Sequence, residues 1–96
     1  MKYVDKANII YSQIIVDRIV SLCKQQRISI NELARMSNIS QSTLDNLVNR
    51  RTFNPRIKTL HKIANAFNMT VAEFLNFPAI NNYSFEDDSD EDDSDE

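Results

Sequence analysis

The stretch SINELARMSNISQSTLDNLVNRR, residues 29 to 51, decides the fold. Two short helical patterns flank a tight break at Ser37, Asn38 and Ile39. Ser29 and Glu32 have the spacing of a capping box, in which the Ser oxygen accepts from the third helical N–H and the Glu side chain reaches back to the N–H of the cap. Leu33 and Ala34 then face inward, and Ile39 plugs the turn. Ser40 caps a second helix whose Leu44, Leu47 and Val48 share one stripe. The opposite stripe carries Gln41, Ser42, Asp45, Asn46 and Asn49, a surface rich in side-chain amides. Amides at the exposed N-terminal end of a short helix suit base edges in a DNA major groove, because each offers a donor beside an acceptor. The unit reads as a helix-turn-helix.

Upstream of this pair, Ile15, Ile19 and Leu22 recur four and three residues apart, with Val16, Val20 and Cys23 widening the same face. That periodicity predicts a helix from near Ser12 to Gln26 or Arg27. Downstream, Thr52-Phe53-Asn54-Pro55 breaks the chain, because Pro55 has no N–H and disfavours helical geometry at Asn54. A fourth helix is expected from Arg56 or Ile57 to Phe67, with Leu60, Ile63, Ala64 and Phe67 inward. Thr70 and Glu73 form a second capping box. It opens a short fifth helix that buries Val71, Phe74 and Leu75 and is stopped by Pro78. Residues 1–11 read as an N-terminal arm, 12–77 as a five-helix all-α domain, 78–85 as a C-terminal extension, and 86–96 as an acidic tail. The chain has no glycine. Asn38 and Asn68 stand where helices need a left-handed residue, the role asparagine fills best after glycine.

Composition narrows the function. Ninety-six residues suffice for one small domain, and 42% hydrophobic content is ordinary for a globular chain. No apolar run approaches the roughly 20 residues that span a bilayer, so no membrane association is expected. The opening MKYVDKANIIYSQ lacks the layout of a secretory signal, and a cytoplasmic location is expected. The single cysteine, Cys23, has no internal disulfide partner and reads as a small buried hydrophobe. Without a nucleophile–base pair, metal-ligand spacing or a phosphate-cradling glycine loop, neither an enzyme nor a cofactor or metal is expected. His61 reads as an exposed helix residue, and Lys24, Arg27 and Lys62 as solvated surface.

The net charge of −3 conceals a division. EDDSDEDDSDE, residues 86–96, holds nine of the fourteen acids and no cation, which leaves eleven Lys and Arg against five acids before it. A body of about +6 suits a polyanion. Eleven residues without an apolar side chain cannot offset the entropy of ordering, so the tail is expected to be disordered. It reads either as a solubilising extension or as a tethered competitor for the body's phosphate-binding positions. On the second reading, deleting 86–96 tightens non-specific DNA binding at low salt, and unchanged affinity contradicts it.

With SINELARMSNISQSTLDNLVN and NPRIKTLHKIANAFNMTVAEFL in place, the chain resembles the phage-repressor and Cro-like helix-turn-helix regulators over about residues 14 to 77. The resemblance implies a compact lambda-repressor-like domain that binds a double-stranded DNA operator, usually as a dimer and as a repressor. By position it assigns base contacts to Gln41, Ser42 and Asn46. It assigns backbone contacts to Asn31, Thr43, Asn49, Arg50, Arg51, Arg56 and Lys58, where helix N-termini and cations favour phosphate oxygens. Asp45, costly beside phosphates, is read as an orienting residue. The chain departs from the family pattern in three places. Arg50 stands where glycine is frequent, so either Asn49 turns left-handed or the helix runs on by a residue. Cys23 and Val48 stand where many members pair an Arg with a Glu, which exchanges an ion pair for an apolar contact. The acidic tail is no part of the family's core pattern.

Phe74, Leu75 and Phe77 read first as core, and part of their surface with Ile80, Tyr83 and Phe85 as a dimer contact. An alternative class is a protein-interaction module, such as an antitoxin or a DNA-mimicking regulator, whose acidic tail engages a protein partner. Co-purification of a stoichiometric partner separates the two readings.

Overall fold

The computed structural model describes residues 6–49 and 54–85 of the chain. Their backbone forms α1 (Lys6–Gln26), α2 (Ile30–Ser37), α3 (Gln41–Val48), α4 (Ile57–Ala66), α5 (Val71–Leu75) and α6 (Pro78–Asn81), with no strand among the described residues. The apolar stripes expected from spacing converge on one core. Ile15, Ile19, Leu22 and Cys23 of α1 meet Leu33 and Ala34 of α2, Leu44 and Leu47 of α3, Leu60, Ile63 and Ala64 of α4, and Phe67 and Phe74. The α2 helix lies against α1, α3 and α4, and α4 against α5. Burial holds the Cys23 thiol above its ordinary pKa, which keeps it protonated as a small core side chain.

Three helix ends show how the chain turns without glycine. Arg27, Asn38 and Asn68 are left-handed, at φ 57°, 60° and 63°. At each, the left-handed N–H donates three residues back, and the next N–H donates five residues back. That pair of bonds is a Schellman motif, which satisfies carbonyls the helix leaves open. The residues that follow, Ile28, Ile39 and Met69, pack against the core and pin each turn from below. The two asparagines meet the expectation from sequence, whereas Arg27 adopts the same geometry with no compositional signal.

The boundaries need correction at both ends. The first helix starts at Lys6, so the proposed arm of residues 1–11 is helical from its sixth residue. Ser12 does not open the helix: it is fully buried inside it. It stands three, four and seven residues before Ile15, Val16 and Ile19, which extends their stripe by a turn. Helical structure also continues beyond 77. Pro78 stops α5 and also opens α6, since the first position of a helix has no use for an N–H. This extra turn packs on α1. Of the three residues assigned to the core of α5, only Phe74 is fully buried, and Val71 and Leu75 are half-buried.

Two side chains of α1 close the ends of other helices. The Arg18 guanidinium donates through Nε to the Phe74 carbonyl at 2.9 Å and through Nη2 to the Glu73 carbonyl at 3.0 Å. It also lies 4.9 Å from the Phe77 ring centroid. Gln26 Nε2 donates to the Phe67 carbonyl, the C-cap of α4, at 3.2 Å. Tyr11, Tyr83 and Phe85 form a further aromatic cluster with centroids 4.7 to 5.7 Å apart, and Phe85 remains 55% exposed. Phe74, fully buried, has no surface to offer a dimer contact. The acidic tail with its expected disorder, and the assigned backbone contacts Arg50 and Arg51, lie outside the described residues.

Candidate nucleic-acid interface

The site is assembled by short-range capping. Glu32 N–H donates to Ser29 Oγ at 3.0 Å, and Ser29 N–H donates to Glu32 Oε1 at 2.8 Å, which completes the expected box at the start of α2. At the other end of α2, the buried Ser37 hydroxyl donates to the Leu33 carbonyl at 2.6 Å, so no polar group is stranded under the turn. The Schellman turn at Asn38 then swings the chain into α3. Ser40 Oγ accepts from Thr43 N–H at 3.1 Å and donates to Thr43 Oγ1 at 2.8 Å. Leu44 and Leu47, wholly buried, fix the rotation of α3 about its axis.

That rotation puts Gln41, Ser42, Thr43, Asn46 and Asn49 on the exposed side, with Asp45 half-buried between them. The three residues assigned to bases, Gln41, Ser42 and Asn46, thus share one face of one helix. Gln41 Nε2 donates to Asp45 Oδ1 at 2.9 Å, one turn along, as an orienting role for Asp45 requires. Among the assigned backbone contacts, Asn31 is exposed in the first turn of α2, and Thr43 and Asn49 belong to α3 and its C-cap. Arg56 is the N-cap of α4 and makes no side-chain capping bond, and Lys58 is exposed in the first turn that follows. Asn49 has φ −88°, so it does not take a left-handed turn; its N–H donates to the Asp45 carbonyl at 2.9 Å and extends the helical ladder to the cap. Val48 is half-buried against the cluster that contains Cys23, in keeping with an apolar replacement of an ion pair.

Sequence reasoning misses Arg18. It is a cation on the helix preceding the motif, and spacing gives no hint that its guanidinium is committed to the carbonyls of α5. Among the described residues no group of three His, Cys, Asp or Glu side chains is placed to hold a metal, and no helix is long and apolar enough to cross a membrane.

A capped helix, a left-handed turn and a second helix with a polar outer face make up a helix-turn-helix, and the sequence profile of the Cro/C1-type HTH DNA-binding domain matches residues 18–79. The chain belongs to that family. The Cro/C1-type fold is shared with a solved structure, that of prophage Lp1 protein 11, at 27% sequence identity and a TM-score of 0.67. The similarity covers 73% of this chain and 92% of the prophage protein. No curated protein matches. As a Cro/C1-type protein the chain is a DNA-binding regulator of transcription, with the helix-turn-helix as its DNA-binding element.

Proposed function

We propose that this Cro/C1-type protein is a sequence-specific repressor that binds a double-stranded operator as a homodimer, with α3 in the major groove. The observation that carries the reading is the division of α3. Its inner face is locked into the core by Leu44 and Leu47, and its outer face presents Gln41, Ser42 and Asn46 together. Side-chain amides on a rigid helix suit base edges, since a bidentate amide–adenine pair uses one donor and one acceptor. Asn31, Thr43, Asn49, Arg50, Arg51, Arg56 and Lys58 hold the phosphates on either side. Arg56 and Lys58 favour this role on electrostatic grounds. Two cations at the start of α4 oppose its dipole, and a phosphate oxygen bound there would be favoured by both the cations and the helix N–H groups. The exposed Phe85, with Tyr11 and Tyr83, supplies apolar surface for self-association. A monomer in sedimentation at operator-binding concentrations would remove the dimer from this reading.

The test is to select bound fragments from a random duplex pool with the full chain, then measure two variants on the selected site and on random DNA. Gln41→Ala should lose about 1–3 kcal/mol on the selected site and leave random DNA unaffected. Arg56→Ala should weaken both alike and lower the salt slope by about one. Selected-site binding that survives both changes contradicts the reading.

A further inference from the structure

The geometry points to Asp45 as a specificity-determining residue that makes the Gln41 amide accept adenine and refuse guanine. This deepens the proposed function and rests on its placement of Gln41 at a base edge. An ionised carboxylate only accepts hydrogen bonds, so the group that Gln41 turns towards Asp45 Oδ1, 2.9 Å away, is its nitrogen and cannot be its oxygen. The acid therefore decides which end of the amide lies where.

Donor counting does the rest. The Gln41 amide has two N–H donors and one carbonyl acceptor. With one N–H committed to Asp45, a donor and an acceptor remain. Adenine presents one acceptor, N7, and one donor, the N6 amino group, in the major groove, and the remaining pair matches both. Guanine presents two acceptors, N7 and O6, and requires two donors. The committed amide has only one left, so guanine would leave O6 opposite a carbonyl oxygen and near a carboxylate. A buried acceptor without a donor is the costly side of hydrogen bonding. The partner lies one helical turn away on the same face of α3, so the pair moves as a unit with the helix.

The isosteric change Asp45→Asn separates this role from a structural one. Asparagine still bridges to Gln41, either by accepting from its nitrogen or by donating to its oxygen. It no longer dictates which, and in the second arrangement Gln41 has both donors free for guanine. Loss of the negative charge also lowers repulsion from the phosphates, which is common to both duplexes and cancels in their ratio. Using the selected site and the full chain, Gln41→Ala first locates the base pair whose preference Gln41 sets. Affinities are then compared for adenine and guanine at that position. The unmodified chain should prefer adenine by ~10-fold or more, and Asp45→Asn should reduce the preference to within ~3-fold of parity. Asp45→Ala should do the same, with circular dichroism confirming an intact fold. An adenine preference that Asp45→Asn leaves unchanged, at a position that Gln41→Ala relaxes, overturns the role of Asp45 alone. If Gln41→Ala relaxes no position, the base-reading role of Gln41 falls and takes this one with it.

Discussion

Around the α2–α3 pair the polar contacts join residues three to five apart: Ser29 with Glu32, Asn38 with Arg35, Ile39 with Ala34, Ser40 with Thr43, Gln41 with Asp45. Where α1 meets α4 and α5 they join residues 41 to 56 apart, through Arg18 and Gln26. The two regions use their polar side chains differently. Local caps complete the DNA-binding pair from its own backbone and leave its outer face available to a ligand. The α1 junction turns its guanidinium and amide inward, on carbonyls at the C-terminal ends of α4 and α5. A cation in this chain is therefore a candidate phosphate contact only if no helix end has claimed it. Arg18 is claimed, whereas Arg56 and Lys58 stand exposed at the start of α4.

The contrast has consequences for stability. Arg18→Ala should produce the largest loss, about 2 kcal/mol, since it removes two charge-assisted bonds. For a domain of this size that corresponds to a fall in Tm of roughly 10 °C. Arg18→Lys should recover little of it, because an ammonium lacks the planar fork that reaches both carbonyls. An unchanged denaturant midpoint in Arg18→Ala would dissolve the contrast. Ser29→Ala, which breaks a local cap, should cost about 1 kcal/mol, and its effect should stay within α2. A loss equal to that of Arg18→Ala would mean that the two regions are coupled more tightly than their contacts suggest.

The smallest effect should be a gain. Arg27 holds a left-handed conformation that costs a side-chain-bearing residue ~1–2 kcal/mol. Glycine removes that strain and gives back ~0.4–1 kcal/mol through the greater freedom of the unfolded chain. Arg27→Gly should raise stability by about 0.5 kcal/mol in chemical denaturation. A loss would show that the exposed Arg27 side chain contributes more than its backbone strain removes.

The same contrast separates what residue type and spacing reveal from what only packing reveals. Ser29–Glu32, Thr70–Glu73, Ser40, Asn38 and Asn68 act within a turn or two of themselves, so all of them are legible in the sequence. The buried stripes follow from period alone, which is why the core and the exposed face of α3 agree with expectation. The roles of Arg18 and Gln26 are not legible, because their partners are carbonyls, which every residue has, brought near only by the tertiary fold. Ser12 misleads for a related reason. The apolar spacing becomes visible only at Ile15, and only the packing reveals that Ser12 is buried in a helix interior. Pro78 reads as a stop from one side and as a first helical residue from the other, and its neighbour α1 settles which matters.

If the outer face of α3 reads bases from a platform that the core holds rigid, the amides themselves should report it. Their side-chain resonances can be followed by NMR in the full chain as the selected duplex is added. The Gln41 and Asn46 NH2 signals should shift most and gain protection from solvent exchange, with α5 and α6 nearly still. Unmoved Gln41 and Asn46 signals, with the main perturbation on α5, α6 or the Tyr11–Tyr83–Phe85 cluster, would contradict a base-reading α3.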